Sequence, residues 1–177
     1  KDNTCKKRFD WKLGDLPHGY DHKYIYSHCG YNLKINDMQA ACGVAQIDKL
    51  ESFINKRNSN FDYLKKNLSE LSDKYILPEA TEGSTPSWFG FLITIKDNQI
   101  DRNKITQFLN EKKIGTRLLF AGNITKQPYI KNKMFKVSGD LHNTETVMKN
   151  SFWVGVYPGL QKKHLDFIVE NIQSYKE

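Results

Sequence analysis

The sequence predicts an α+β domain that follows a loop-rich arm. Residues 1 to 35 are rich in Gly, His, Tyr and charged residues, and they show no sustained hydrophobic period. From residue 36 onward, segments with helical spacing of apolar residues alternate with short stretches rich in aromatic and β-branched residues. This pattern is typical of helices and strands packed into one layered domain. We therefore divide the chain into an arm, residues 1–35, and a domain, residues 36–177.

A long helix is predicted to open the domain. Asn36 can cap the free amides at its start, and Gln39 can reach back to complete a capping box. The helix could be bent, and it ends before Pro78. Its apolar residues recur mostly at steps of three and four, with charged residues between them. These apolar positions are Met38, Ala41, Ala45, Leu50, Ile54, Phe61, Leu64, Leu68 and Leu71.

Three strands and three more helices are predicted after a polar loop. The strands are WFGFLITI (88–95), GTRLLF (115–120) and SFWVGVYP (151–158). The helices run from Asp101 to about residue 113, over NTETVMKN (143–150) and over QKKHLDFIVENIQSY (161–175). The last helix places Leu165, Ile168, Val169 and Ile172 on one face. Because helices or long segments separate the strands, their relative directions stay open.

The chain carries a net charge of +7, from 27 Lys and Arg against 20 Asp and Glu. Such an excess could serve nucleic acid, an anionic membrane or a phosphorylated small ligand. The lysines are scattered, and zinc-finger spacing and RNA-binding aromatic motifs are missing, so a nucleic-acid partner is not expected. No apolar window is long enough to cross a membrane, and KDNTCKKRFD has no signal-peptide core. We expect a cytoplasmic protein without a membrane partner.

The cysteines and the common catalytic motifs give no enzyme class. Cys5, Cys29 and Cys42 form neither a disulfide framework nor a self-contained zinc site, and we expect Cys29 and Cys42 to be buried thiols. The sequence has no Ser-His-Asp signature, HExxH, Walker loop or GxGxxG. On these grounds alone the chain could be a free-standing interaction or nucleotide-binding module.

Residues 30–50, GYNLKINDMQAACGVAQIDKL, carry the most specific signal. This run resembles the motif that opens the interdomain helix in the sugar aminotransferase and dehydrase family of pyridoxal-phosphate enzymes. The arm, WFGFLITI and GTRLLFAGNITKQPYI look most similar to the branch that acts on CDP-4-keto-6-deoxyglucose, making 3,6-dideoxysugars for lipopolysaccharide. The resemblance implies the small C-terminal domain of a fold-type I transferase, with residues 1–35 belonging to a missing large domain.

The resemblance also implies two cofactors in the parent enzyme. These are pyridoxal or pyridoxamine phosphate and a 2Fe–2S cluster that receives electrons from a partner reductase. Cys5, followed by KKRFDW, matches the last cysteine ligand of that cluster, but such a cluster needs four protein ligands. The family's residues at the reactive carbon and pyridine nitrogen of the cofactor lie in the large domain, so no histidine here is assigned that role. We expect this chain alone to be inactive and to bind neither cofactor.

Two residues of the opening motif are assigned to the cofactor phosphate by the resemblance. Asn32 matches an asparagine that reaches the phosphate held by the neighbouring subunit of a homodimer, and Lys34 is a second candidate anion contact. The alternative for Asn32 is that it only stabilises its own turn.

Four later residues are candidates for contacting a CDP-sugar. Arg117 and Asn123 suit its phosphates or hydroxyls, since Arg can bind phosphate through a bidentate fork. Phe89 and Phe120 either wall the sugar or belong to the core. A transaminase or a cluster-free dehydratase of the same family stays open, because the position that decides between Lys and His is not in the chain.

Overall fold

The computed structural model describes residues 9, 10, 12, 14–21, 24, 25, 29–31, 33–130 and 132–176. The chain divides into two compact units, Lys1–Val44 and Ala45–Glu177. The larger unit holds the sheet and the hydrophobic core.

The predicted long helix is in fact two helices, α1 (Asp37–Ile47) and α2 (Leu50–Leu68). They are separated by a turn in which the Lys49 amide donates to the Gln46 carbonyl, three residues back, so the regular four-residue ladder is interrupted. The predicted capping box is confirmed. The Asn36 amide donates to Gln39 Oε1 at 3.0 Å, and the Gln39 amide donates to Asn36 Oδ1 at 2.9 Å.

The sheet has four antiparallel strands in the order β1-β2-β4-β3. The strands are β1 (Tyr75–Ile76), β2 (Gly90–Ile95), β3 (Thr116–Arg117) and β4 (Ser151–Gly155). The segments 88–95 and 151–158 were predicted correctly as strands. The predicted strand 115–120 keeps only two residues, and β1 was not predicted.

The remaining helices are those that the sequence predicts. They are α3 (Arg102–Glu111), α4 (His142–Asn150) and α5 (Lys162–Ser174). Asp101 caps α3 by accepting from the amides of Asn103 and Lys104. The predicted apolar face of α5 is confirmed, because its four residues all enter the core.

The core lies on one side of the sheet, between the strands and helices α2, α3 and α5. Alternate residues of β2 and β4 point into it, and the rings of Phe61 on α2 and Phe91 on β2 lie 5.1 Å apart. Helix α4 contacts β2 and β4 but contributes no residue to this core. The buried strand and helix residues are Phe61, Leu64, Leu68, Tyr75, Phe91, Ile93, Ile95, Ile105, Leu109, Phe152, Val154, Leu165, Ile168, Val169 and Ile172.

The opposite side of the sheet is only partly covered. Leu92, Trp153 and Arg117 occupy directly opposed positions on β2, β4 and β3, so their side chains share this side. Leu92 and Trp153 are half-buried and Arg117 is exposed. We call this surface the open face, and it holds most of the predicted site residues of the larger unit.

Candidate functional site

Trp153 is the centre of the open face. A Cβ placed on Gly90 would lie 2.5 Å from Cε3 of the indole, so the ring occupies space that only glycine leaves on β2. On the other side, the indole Nε1 donates to the Leu118 carbonyl at 3.1 Å. The indole therefore spans the sheet surface from β2 to the residue after β3, with its position fixed at both ends.

Arg117 sits next to this ring. Its Cα is the register partner of Trp153, which brings the two side chains within about 5 Å of each other at their bases. Among the residues that the structure describes, its guanidinium has neither a hydrogen-bond nor an ion-pair partner. An exposed guanidinium beside an aromatic ring is able to bind phosphate through its bidentate fork.

Phe89 forms a wall at the edge of the open face. It is 62% exposed, and its ring centroid lies 5.1 Å from that of Trp153 at an interplanar angle of 58°. Arg57 holds the preceding backbone by donating to the Trp88 carbonyl at 3.2 Å, and its guanidinium carbon lies 5.8 Å from the Phe89 ring centroid. The exposure excludes the core alternative for Phe89.

Phe120 is the second predicted wall, and its backbone is strained. It has a φ of 43°, in the left-handed region that aromatic residues rarely adopt, and its amide donates to the Leu118 carbonyl at 2.8 Å. Its side chain is 80% exposed, so it too is outside the core. The turn therefore presents a large ring to solvent just after the edge strand.

Asn123 is held in an internal network instead of facing solvent. It is only 3% exposed, its Nδ2 donates to Glu145, and its Oδ1 accepts from the Thr125 amide at 3.0 Å and the Thr125 hydroxyl at 2.7 Å. Hydrogen bonds from Lys126, first, and from Asn123 lower the pKa of Glu145. Asn123 thus ties the segment after Phe120 to α4, and direct contact with a ligand stays a prediction.

The smaller unit places Lys34 on an exposed segment before α1. Leu33, Lys34, Ile35 and Gln39 line a shallow pocket, and the Asn36 amide beside it is already bonded to Gln39. Asn32 lies outside the described residues. Lys34 suits one supporting contact to a phosphate, but these residues do not enclose a cofactor ring.

The metal-site prediction on Cys5 also falls outside the described residues. Within the described part of the chain, no group of three or more His, Cys, Asp or Glu side chains could hold a metal ion. The prediction that Cys29 and Cys42 are buried was wrong, since both are exposed free thiols. They lie outside the hydrophobic core, which the larger unit alone supplies. No described helix is long and apolar enough to cross a membrane.

A cavity of about 530 Å³ lies away from the open face, between α5 and the ends of β3 and β4. Ile114, Val154 and Phe167 contribute to its apolar lining, with Lys113 and Lys163 also present. None of the predicted site residues that the structure describes lines it. The volume of this cavity therefore does not make it the candidate site.

Solved structures define the class of this fold. A variant of GDP-4-keto-6-deoxymannose 3-dehydratase with bound GDP-perosamine matches with a TM-score of 0.76 and 25% identity, over 95% of this chain and 46% of that one. The Escherichia coli GDP-4-keto-6-deoxy-D-mannose 3-dehydratase with bound hydrated pyridoxal phosphate matches with a TM-score of 0.74 and 26% identity, over 84% and 38%. The α+β prediction is confirmed, and the fold is that of part of a pyridoxal-phosphate-dependent aminotransferase or dehydratase.

Sequence relatives agree with that class. Residues 15–173 match the DegT/DnrJ/EryC1/StrS aminotransferase family. The lipopolysaccharide biosynthesis protein RfbH of Salmonella typhimurium is 55% identical over 98% of this chain and 40% of its own length. The dTDP-4-dehydro-2,6-dideoxy-D-glucose 3-dehydratase of Saccharopolyspora spinosa is 47% identical over 98% and 38%. The chain belongs to this family, and it spans about two fifths of the length of these curated relatives.

The sequence predictions omitted two residues of the open face. Trp153 was placed in a strand without a role, although a glycine in the neighbouring strand is a signal of close approach by another group. Arg57 was hidden in the predicted long helix, where no local pattern indicates a contact with residues 88 and 89.

Proposed function

We propose that this chain is the C-terminal part of a pyridoxamine-phosphate-dependent nucleotide-sugar 3-dehydratase. Its substrate is a CDP-linked 4-keto-6-deoxyhexose, and its product is a 3,6-dideoxysugar precursor for lipopolysaccharide. The relatives named for lipopolysaccharide synthesis and for 3-dehydration support this reaction. The observation that carries the proposal is the exposed guanidinium of Arg117 beside the aromatic residues of the open face.

This chain contributes binding surface to that reaction. Arg117 contacts the diphosphate, and Phe89 and Phe120 wall the hexose. Asn123 holds the segment that carries Phe120 against α4, which keeps the wall next to Arg117. These residues orient the sugar and exclude water from it, while the proton transfers belong to groups outside the chain.

The overall reaction breaks the bond between C3 and its hydroxyl oxygen and releases water. Two electrons and two protons replace that hydroxyl with hydrogen, and a partner reductase supplies the electrons. Bound pyridoxamine phosphate supplies an electron-withdrawing ring next to the C4 carbon of the sugar. We assign Cys5 to a 2Fe–2S cluster shared with cysteines outside this chain, and no step of the reaction is derived through it.

Asn32 and Lys34 are proposed to contact the cofactor phosphate of the neighbouring subunit in a homodimer. The capping box at Asn36 and Gln39 supports this role because it fixes the start of α1 directly after these residues. A bond from an amide to a charged phosphate contributes about 1.5 to 3 kcal/mol, so Asn32→Ala should raise the cofactor dissociation constant roughly tenfold to a hundredfold.

Mixed dimers test whether Asn32 acts across the subunit boundary. Full-length Asn32→Ala subunits are combined with subunits disabled at the residue that faces the reactive carbon of the cofactor. If Asn32 acts in trans, one site of each mixed dimer carries both defects, the other carries neither, and activity reappears. If it acts within its own subunit, every site keeps one defect and mixing restores nothing.

Product analysis tests the proposed reaction itself. The full-length protein is incubated with CDP-4-keto-6-deoxyglucose, pyridoxamine phosphate and a reducing system, and the sugar nucleotide is examined by mass spectrometry. We expect a reductant-dependent product that lacks one oxygen atom. An amino sugar formed with an amino donor would instead establish a transaminase, and an unchanged substrate would favour a non-catalytic module.

A further inference from the structure

The open face contains an aromatic platform that the proposed function does not yet use. We define the Trp153 platform as the indole of Trp153 and the adjoining ring of Phe89. Its Trp153 ring is fixed on one side by the space over Gly90 and on the other by the Leu118 carbonyl. A side chain fixed in this way loses little conformational freedom when a ligand binds to it.

The platform offers apolar surface and no free hydrogen-bonding group. The indole N–H is the only polar group of Trp153, and it already donates to Leu118 at 3.1 Å. Phe89 has no polar atom in its side chain. A ligand hydroxyl placed over these rings would lose its bonds to water without gaining a partner, whereas a methyl group would lose nothing.

The position of Arg117 sets which part of a sugar nucleotide reaches the platform. Arg117 is the cross-strand neighbour of Trp153, so a phosphate on its guanidinium lies close to the indole. In a nucleoside-diphosphate sugar the hexose is bonded directly to the second phosphate, while the base is separated from the first phosphate by the ribose. The hexose is therefore the group that best fits the neighbouring ring.

We infer that Trp153 determines specificity for 6-deoxyhexoses by receiving the C6 methyl group of the sugar on its ring face. This inference rests on the proposed function, since it takes a nucleotide sugar as the ligand. A 6-hydroxyl group in the same place stays unpaired, and an apolar site discriminates against an added hydroxyl by roughly tenfold to a hundredfold. Phe89 supports the selection as a positioning wall.

Matched nucleotide sugars test the inference in the full-length protein loaded with its cofactor. Isothermal titration compares CDP-6-deoxyglucose with CDP-glucose, and the same pair is repeated with dTDP and GDP as the nucleotide. We expect the 6-deoxy member to bind roughly tenfold to a hundredfold more tightly. In Trp153→Ala the two members should bind within about threefold of each other, because the platform is gone.

Two further variants guard against effects of misfolding. Phe89→Ala removes an exposed ring, so its fold should survive and its preference should fall. Trp88→Phe is the matched control, because Trp88 stacks on Phe61 at 3.9 Å on the core side and should leave the preference unchanged.

The outcomes separate the inference from the proposed function. Binding of the nucleotide sugars without a 6-deoxy preference, or a preference that persists in both Trp153→Ala and Phe89→Ala, overturns the role of Trp153 and leaves the dehydratase proposal standing. Failure of every nucleotide sugar to bind overturns both.

Discussion

Replacement of Asn60 by alanine should be among the most destabilising polar substitutions in the larger unit. Asn60 lies on α2 and is 1% exposed. Its Nδ2 donates to the carbonyls of Val156 at 3.2 Å and Tyr157 at 3.0 Å, in the connection from β4 to α5. One side chain thus joins three elements of the core, and Asn60→Ala leaves two carbonyls without these donors.

The magnitude follows from the number of bonds. Each lost hydrogen bond costs about 1 kcal/mol, and a buried carbonyl left unsatisfied adds about 1 to 3 kcal/mol. Part of this is offset, because Asn60 Oδ1 is itself buried with no partner in the described structure, and its removal relieves that cost. We therefore expect the free energy of unfolding to fall by about 2 to 3 kcal/mol.

Urea denaturation of this chain measures the effect, with Asn171→Ala as the control. Asn171 is also buried, but its Nδ2 donates to the Phe167 carbonyl within α5, where the helix already supplies a donor. With a urea slope of about 1 to 3 kcal/mol per M, Asn60→Ala should lower the midpoint by roughly 1 M or more, and Asn171→Ala by much less. Equal shifts in the two variants would refute the reasoning.

Three more predictions concern backbone strain and titration. Gly122→Ala should lower stability by about 1 to 3 kcal/mol in thermal unfolding, because Gly122 has a φ of 60° and its Cβ would lie 2.7 Å from Met148 Cγ, whereas Gly139→Ala, with φ 76° and open space, should cost less; equal losses would contradict this. Burial, and then the charges of Tyr175, Asp97 and Asp73, raise the pKa of Tyr75 to about 12, so stability should fall between about pH 10 and 12. A phenolate absorbance titration should lose its last step in Tyr75→Phe, and an unchanged curve would disprove the assignment. Hydrogen bonds from Lys162, first, and from Tyr63 lower the pKa of Asp166, so its contribution is present above the ordinary carboxyl pKa and is lost as the pH falls through the lowered value. Asp166→Asn should therefore lower the urea midpoint at neutral pH but not at strongly acidic pH, and a constant difference would argue against the ion pair.

Local signals predicted the parts of the fold that depend on neighbouring residues. The capping box at Asn36 and the Asp101 cap are set within one helical turn, and the apolar face of α5 follows its period. The break at Lys49, the two-residue strand β1 and the order of the strands were not predictable in this way. They depend on pairing between distant segments, such as Leu92 with Trp153, that no local period records.

The candidate site shows the same limit. Residue type and resemblance were sufficient to choose Arg117, Phe89 and Phe120, and the structure places all three outside the core. Type alone could not show that Asn123 is held by Glu145, or that Trp153 lies over Gly90, because both contacts arise from tertiary packing.

The central claim is that Arg117 binds the diphosphate of a nucleotide sugar, and steady-state kinetics of Arg117→Lys in the full-length enzyme tests it most directly. Lysine keeps the charge but loses the bidentate fork, so the KM for the nucleotide sugar should rise while cofactor content stays unchanged. Arg102→Lys, on α3 and away from the open face, is the control and should leave KM as it is. An unaltered dependence on substrate concentration in Arg117→Lys would contradict the account and reassign Arg117 to a structural role.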